Sequence, residues 1–218
     1  MSLLELFEAL KPYQKGIVVL LPIAGIVVGW VLKTCTDLLI KAKDDWAKRR
    51  ECIFYLLQSW KNVLDYERYI SHISKQDLEI EEYEEIRTGL SQKLGEQLAA
   101  SRESLKTGIV SLASVDPTAA AQLDNTLKNF LGLLSYDFSE LIEKDPAVYQ
   151  AFNKEFYGQI DWTLSDMADQ AEKLASKAGP FQKRRTNKWL DARIKGGAEF
   201  HDGVAEIQGD IERRRNEG

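Results

Sequence analysis

The sequence predicts an all-α protein, with a single N-terminal transmembrane helix running into an antiparallel cytoplasmic helical bundle of four to five helices. Three observations predict it. Residues 16–32 contain no charge. Apolar residues then recur at helical spacing almost to the C-terminus, interrupted at Asp116-Pro117, Asp145-Pro146 and Gly179-Pro180. Gly and Pro together number only 14 and 5 of 218 residues, too few for the many turns of a sandwich or barrel.

The N-terminus divides into residues 1–12, a short amphipathic interfacial helix, and 13–35, a transmembrane anchor. Ser2 and Glu5 have the spacing of a capping box, and Leu3, Leu4, Leu6, Phe7 and Leu10 precede Pro12. The run Gly16–Leu32 covers roughly 26 Å as a helix, near the lower limit for a bilayer core. Tyr13, Lys15, Trp30 and Lys33 flank it as interface residues do. Glu5 and Glu8 are unlike the basic start of a signal peptide, and no small-residue cleavage site follows. A buried core helix is the other bland alternative. Basic residues near the span lie mainly on its C-terminal side: Lys33, Lys41, Lys43, Lys48, Arg49 and Arg50. That bias puts the C-terminal domain in the cytoplasm, so the layout predicts a single-pass protein of a bacterial inner membrane. Gly25 and Gly29 form a GxxxG step, a groove through which an anchor helix packs on another.

Residues 36–218 form the helical domain, with 180–218 its basic C-terminal segment. Residues 33–73 lack Gly and Pro and carry Ile53, Leu56, Leu57, Trp60, Val63, Leu64 and Ile70 at helical steps. Ile80, Tyr83, Ile86, Leu90, Leu94, Leu98, Leu105, Ile109 and Leu112 mark a helix over 77–113. Their repeat, about 3.56 residues per turn, lies between a straight helix and a coiled coil. Gly89, Gly95 and Gly108 in this stretch mark places for close packing. Asp116-Pro117 opens a helix that runs through Phe130 to Ile142, with Asp as N-cap and Pro in the first turn. Asp145-Pro146 opens another through Phe156 and Leu174 to Ala178. The last stretch, 181–215, carries Trp189 and Ile194 and is divided by Gly196-Gly197.

Charge is segregated. Residues 77–104 and 116–172 are acidic, whereas 33–50 and 181–195 are basic. The overall charge is −5, which gives nucleic-acid binding no support. The segment Lys183, Arg184, Arg185, Lys188 and Trp189 combines bases with an aromatic ring. It is a candidate contact for lipid headgroups or for a partner. An ordinary basic helix packed on acidic neighbours is its plain alternative.

No catalytic, metal or cofactor motif emerges. His72 and His201 lack an acid three residues before them, so the carboxylate–histidine pairs of di-iron bundles are absent. Two cysteines exclude a disulfide framework. Cys35 is a juxtamembrane thiol and Cys52 a small packing residue. The acidic run Glu79, Glu81, Glu82, Glu84 and Glu85 reads as a solvated helix face. Trp46, Trp60, Trp162 and Trp189 are core or interface candidates.

The expected function is a membrane-anchored interaction, scaffold or regulatory protein. It would act as a homo-oligomer or as a subunit of a membrane protein complex, with membrane lipid and no cofactor as its surroundings. Two alternatives are an effector that oligomerises through its anchor to perturb the bilayer, and an enzyme with a site hidden between helices.

Overall fold

The computed structural model describes residues 14–76, 78–134 and 146–195. Every regular element among them is an α-helix. The helices are α1 (Gln14–Ile73), α2 (Ile80–Ala113), α3 (Pro117–Leu134), α4 (Pro146–Ala178) and α5 (Pro180–Lys195). The expected capping box and interfacial helix of residues 1–12 fall outside the described residues. So do Phe138, Leu141, Ile142, Asp145, Gly196, Gly197 and His201.

The chain divides into two compact units, Met1–Trp46 and Ala47–Gly218. In the first, α1 contains Pro22, and Ile23, Ile26, Val27, Val28, Trp30, Val31 and Leu32 all have exposed side chains. The Thr34 hydroxyl donates to the Trp30 carbonyl at 2.9 Å, and the Thr36 hydroxyl to the Leu32 carbonyl at 2.8 Å. These bonds pair both hydroxyl donors with carbonyls of the helix itself.

The second unit holds one apolar core. From α1 it takes Ile53, Leu56, Trp60, Val63 and Ile70; from α2, Leu94, Leu105 and Leu112. Helix α3 adds Leu123 and Phe130, α4 adds Phe156, Ile160 and Leu174, and α5 adds Leu190. All lie at the 3.6-residue spacing that gives each helix a single apolar stripe. Cys52 is fully buried, in keeping with a packing role, and Cys35 is exposed.

Of the three glycines in α2, one marks a close approach. A Cβ at Gly108 would lie 3.2 Å from Tyr55 Cδ2 and 3.3 Å from Cys52 Cα, whereas Gly89 and Gly95 face open space. The tryptophans divide similarly: Trp60 is buried and Trp189 half-buried, while Trp46 and Trp162 are exposed.

The turns follow from local chemistry. The backbone N–H of Ala119 donates to Asp116 Oδ1 at 3.3 Å, so Asp116 caps α3 as its position before Pro117 predicts. Gly179 has φ +121°, a conformation that L side chains rarely adopt, and it is the sole residue between α4 and α5. Its N–H donates to the Ala175 carbonyl at 3.1 Å and the Ser176 carbonyl at 3.3 Å, closing α4. Its carbonyl accepts from the Lys183 N–H at 3.0 Å, opening α5.

Buried polar groups tie the helices in register. Trp60 Nε1 donates to the Leu164 carbonyl at 2.9 Å, joining α1 to α4. Gln170 Nε2 donates to Asp166 Oδ2 at 2.7 Å and to Thr126 Oγ1 at 3.1 Å, joining α4 to α3. Glu84 departs from the solvated face expected of the acidic run. It is buried and holds Arg87 by three hydrogen bonds. Tyr149 donates its hydroxyl to Glu84 Oε1 at 2.6 Å from α4.

A candidate binding groove between α1 and α5

A groove of about 440 Å³ lies between α1 and α5, within the size range of ligand sites. From α1 it is lined by Arg50, Ile53, Phe54, Leu57, Gln58 and Lys61. These positions form one stripe at steps of three, one, three, one and three. From α5 come Gln182, Arg185, Thr186 and Trp189, again one stripe. Helical periodicity alone therefore sets three cations and four apolar side chains around one concavity. Among the described residues no carboxylate lines it.

Contacts farther along fix α5 in place. The Trp189 and Trp60 rings meet edge-to-face, with centroids 5.9 Å apart, a favoured aromatic geometry. Arg193 lies over the Trp189 ring at 5.7 Å. Arg68 Nη2 donates to the carbonyls of Arg193 and Ile194 at 2.6 and 3.1 Å. A guanidinium there satisfies carbonyls that the helix end leaves without intrahelical partners.

Thr186 is the irregular member of the wall. It is 1% exposed, and its Oγ1 has no hydrogen-bond partner among the described residues. Thr163 in α4 shows the usual solution, donating back to the Gln159 carbonyl at 2.8 Å. A buried hydroxyl with no partner is costly.

The structure separates the five residues singled out on α5. Arg185 and Trp189 face the groove, and Trp189 is committed to Trp60. Lys183, Arg184 and Lys188 line a different, open depression with Asn187 and Asp191. Phe181, 88% exposed, precedes the groove residue Gln182 and shares a helix face with Arg184 and Arg185. Sequence reading missed the α1 half of the groove. Its signal is the placement of Arg50, Phe54 and Lys61 beside the apolar stripe that Ile53, Leu57 and Trp60 extend.

No protein-family model, curated protein or solved structure matches this chain.

Gly25 and Gly29 belong to the first unit. A Cβ at either position would meet nothing within 4 Å, so the step is open surface. α1 is long and apolar enough to cross a membrane, and among the described residues none buries its apolar window. Among the described residues no three His, Cys, Asp or Glu side chains gather as a metal site would require. Burial pushes the Cys52 thiol up to about 12, which makes it a poor nucleophile. What the groove offers chemically is cationic hydrogen-bond donors beside an apolar floor.

Proposed function

We propose that this chain is a membrane-tethered helical interaction protein. Residues 13–35 anchor it, and the unit from Ala47 onward works as a helical bundle at the cytoplasmic face, in a homo-oligomer or as a complex subunit. One observation carries the reading: the apolar side chains of α1 from Ile23 to Leu32 lie open to their surroundings. A helix that is apolar all round and left open by the described residues is suited to lipid or another protein around it. The lysines and arginines of 33–50 support the cytoplasmic orientation. The open Gly25–Gly29 step supports association between anchors.

The test is extraction of the full-length protein from native membranes. Alkaline carbonate is expected to leave it in the membrane pellet. Mild detergent is expected to release a particle heavier than the 24.8 kDa chain after correction for bound detergent. Release by carbonate would refute the anchor, and a protein mass of one chain alone would refute the assembly.

A further inference from the structure

We propose that the α1–α5 groove binds an anionic phospholipid, with Arg50, Lys61 and Arg185 on the phosphate-bearing headgroup and Phe54, Leu57 and Trp189 against its apolar part. The lipid is here a bound ligand of the helical domain. The site is independent of whether α1 anchors the chain.

Charge complementarity selects the ligand's sign. Three cations and no carboxylate line the groove, on a chain whose overall charge is −5; Lys61 is shared with Asp65 Oδ2 at 3.9 Å, so the two arginines carry most of the positive character. Two of the cations are arginines, whose planar guanidinium matches phosphate oxygens in a paired geometry. The apolar lining selects the rest of the molecule. Ile53, Leu57 and Trp189 form a floor, and Phe54, 62% exposed, carries apolar surface outward from it. A compact soluble anion leaves the Phe54 ring in water, whereas the acyl part of a lipid covers it. Phosphate is the shared chemistry of a lipid headgroup and a free anion, so the experiment must separate the two.

Full-length protein in mild non-ionic detergent would be titrated with short-chain phosphatidylglycerol, the matching phosphatidylcholine and inorganic phosphate. Native mass spectrometry would count bound lipid, and thermal shift would follow linkage. Saturable binding of one phosphatidylglycerol per chain is expected, with phosphatidylcholine and phosphate at least roughly tenfold weaker. The double variant R50Q/R185Q is expected to weaken phosphatidylglycerol binding by about tenfold or more. The charge-matched control K183Q/R184Q, whose residues line the separate depression on α5 and not the groove, is expected to stay within about twofold. Circular dichroism would check folding. Should R50Q/R185Q unfold, R185Q alone and F54A, which removes an exposed ring, carry the same expectation of weakened binding. Equal binding of both lipids, phosphate binding as tight as phosphatidylglycerol, or equal losses in the two charge-matched variants would each overturn the proposal. So would an acidic amphipathic peptide that binds the groove more tightly than the lipid.

Discussion

Glu84 and Arg87 face each other one turn apart on α2, inside the core. Arg87 Nε donates to both carboxylate oxygens at 2.9 and 2.8 Å, and Nη2 donates to Oε2 at 2.5 Å. Their side chains are 7% and 2% exposed. Arg87 also lies over the Phe156 ring of α4 at 5.2 Å, and Tyr149 of α4 donates to Glu84. One ion pair on α2 thus meets two aromatic residues of α4.

Breaking that pair from one side leaves the other charge buried and uncompensated. Glu84→Gln or Arg87→Met is expected to cost about 3–5 kcal/mol. The double change Glu84→Gln with Arg87→Met should cost clearly less than the sum of the two. Denaturant unfolding of the full chain, followed by circular dichroism, measures all three. Additive costs would show that the two charges do not depend on each other.

The same region sets an alkaline limit. Burial pushes Tyr66 up to about 12 from an ordinary 10.0, and it raises Tyr83, Tyr149 and Tyr157 as well. Each is neutral when folded and ionises more easily when unfolded. Their contribution to stability is therefore complete below pH 10.0 and is lost as pH climbs toward the folded values. Cys52, raised from 9.0 to about 12, acts in the same direction from a slightly lower pH. Tyrosinate absorbance and helical circular dichroism should change together on raising the pH. Ionisation of these tyrosines while helicity stays constant would contradict this.

Gly108 and Gly89 should respond oppositely to larger side chains. Cys52 Cα, the atom 3.3 Å from a Cβ at Gly108, belongs to the α1 backbone and has little room to yield. Gly108→Val is expected to destabilise by about 1–3 kcal/mol through overpacking. Gly89 faces open space, and Gly89→Ala should stabilise by about 0.5–1 kcal/mol through helix propensity. Thermal unfolding of both variants decides the matter.

Asp116 joins two turns, capping α3 and accepting a hydrogen bond from Lys177 near the end of α4. Asp116→Ala is expected to cost about 0.5–2 kcal/mol, and Asp116→Asn less, because the amide still caps. The Lys177 hydrogen bond holds the Asp116 carboxyl below its ordinary 3.8. A lowered carboxyl stabilises the fold above its unfolded pKa and loses that contribution as pH falls through the folded one. The gap between wild type and Asp116→Ala should therefore narrow as acid unfolding is approached. A gap independent of pH would assign the effect to something other than the carboxylate.

The helices were legible because their signals are local. Pro117, Pro146 and Pro180 each open a described helix, and apolar spacing along α1 names Ile53, Leu56, Trp60, Val63 and Ile70, all buried. The polar core was not legible in the same way. Glu84 sits among five glutamates of identical local chemistry, and only tertiary packing distinguishes it. The available hint was Arg87, which falls on the Tyr83–Leu90–Leu94 stripe, where a charge is out of place. The groove was half legible. Bases and a tryptophan on α5 drew notice, but a concavity between helices more than a hundred residues apart has no sequence signature.

That separation has a consequence in time. Trp60 emerges early in synthesis, and Trp189, the ring that covers it from α5, follows about 130 residues later. At about 5–20 residues per second, translation leaves this side of Trp60 without its partner for roughly 6–26 seconds. The nascent chain thus shows ribosome-associated chaperones an uncapped aromatic ledge until its closing helix arrives.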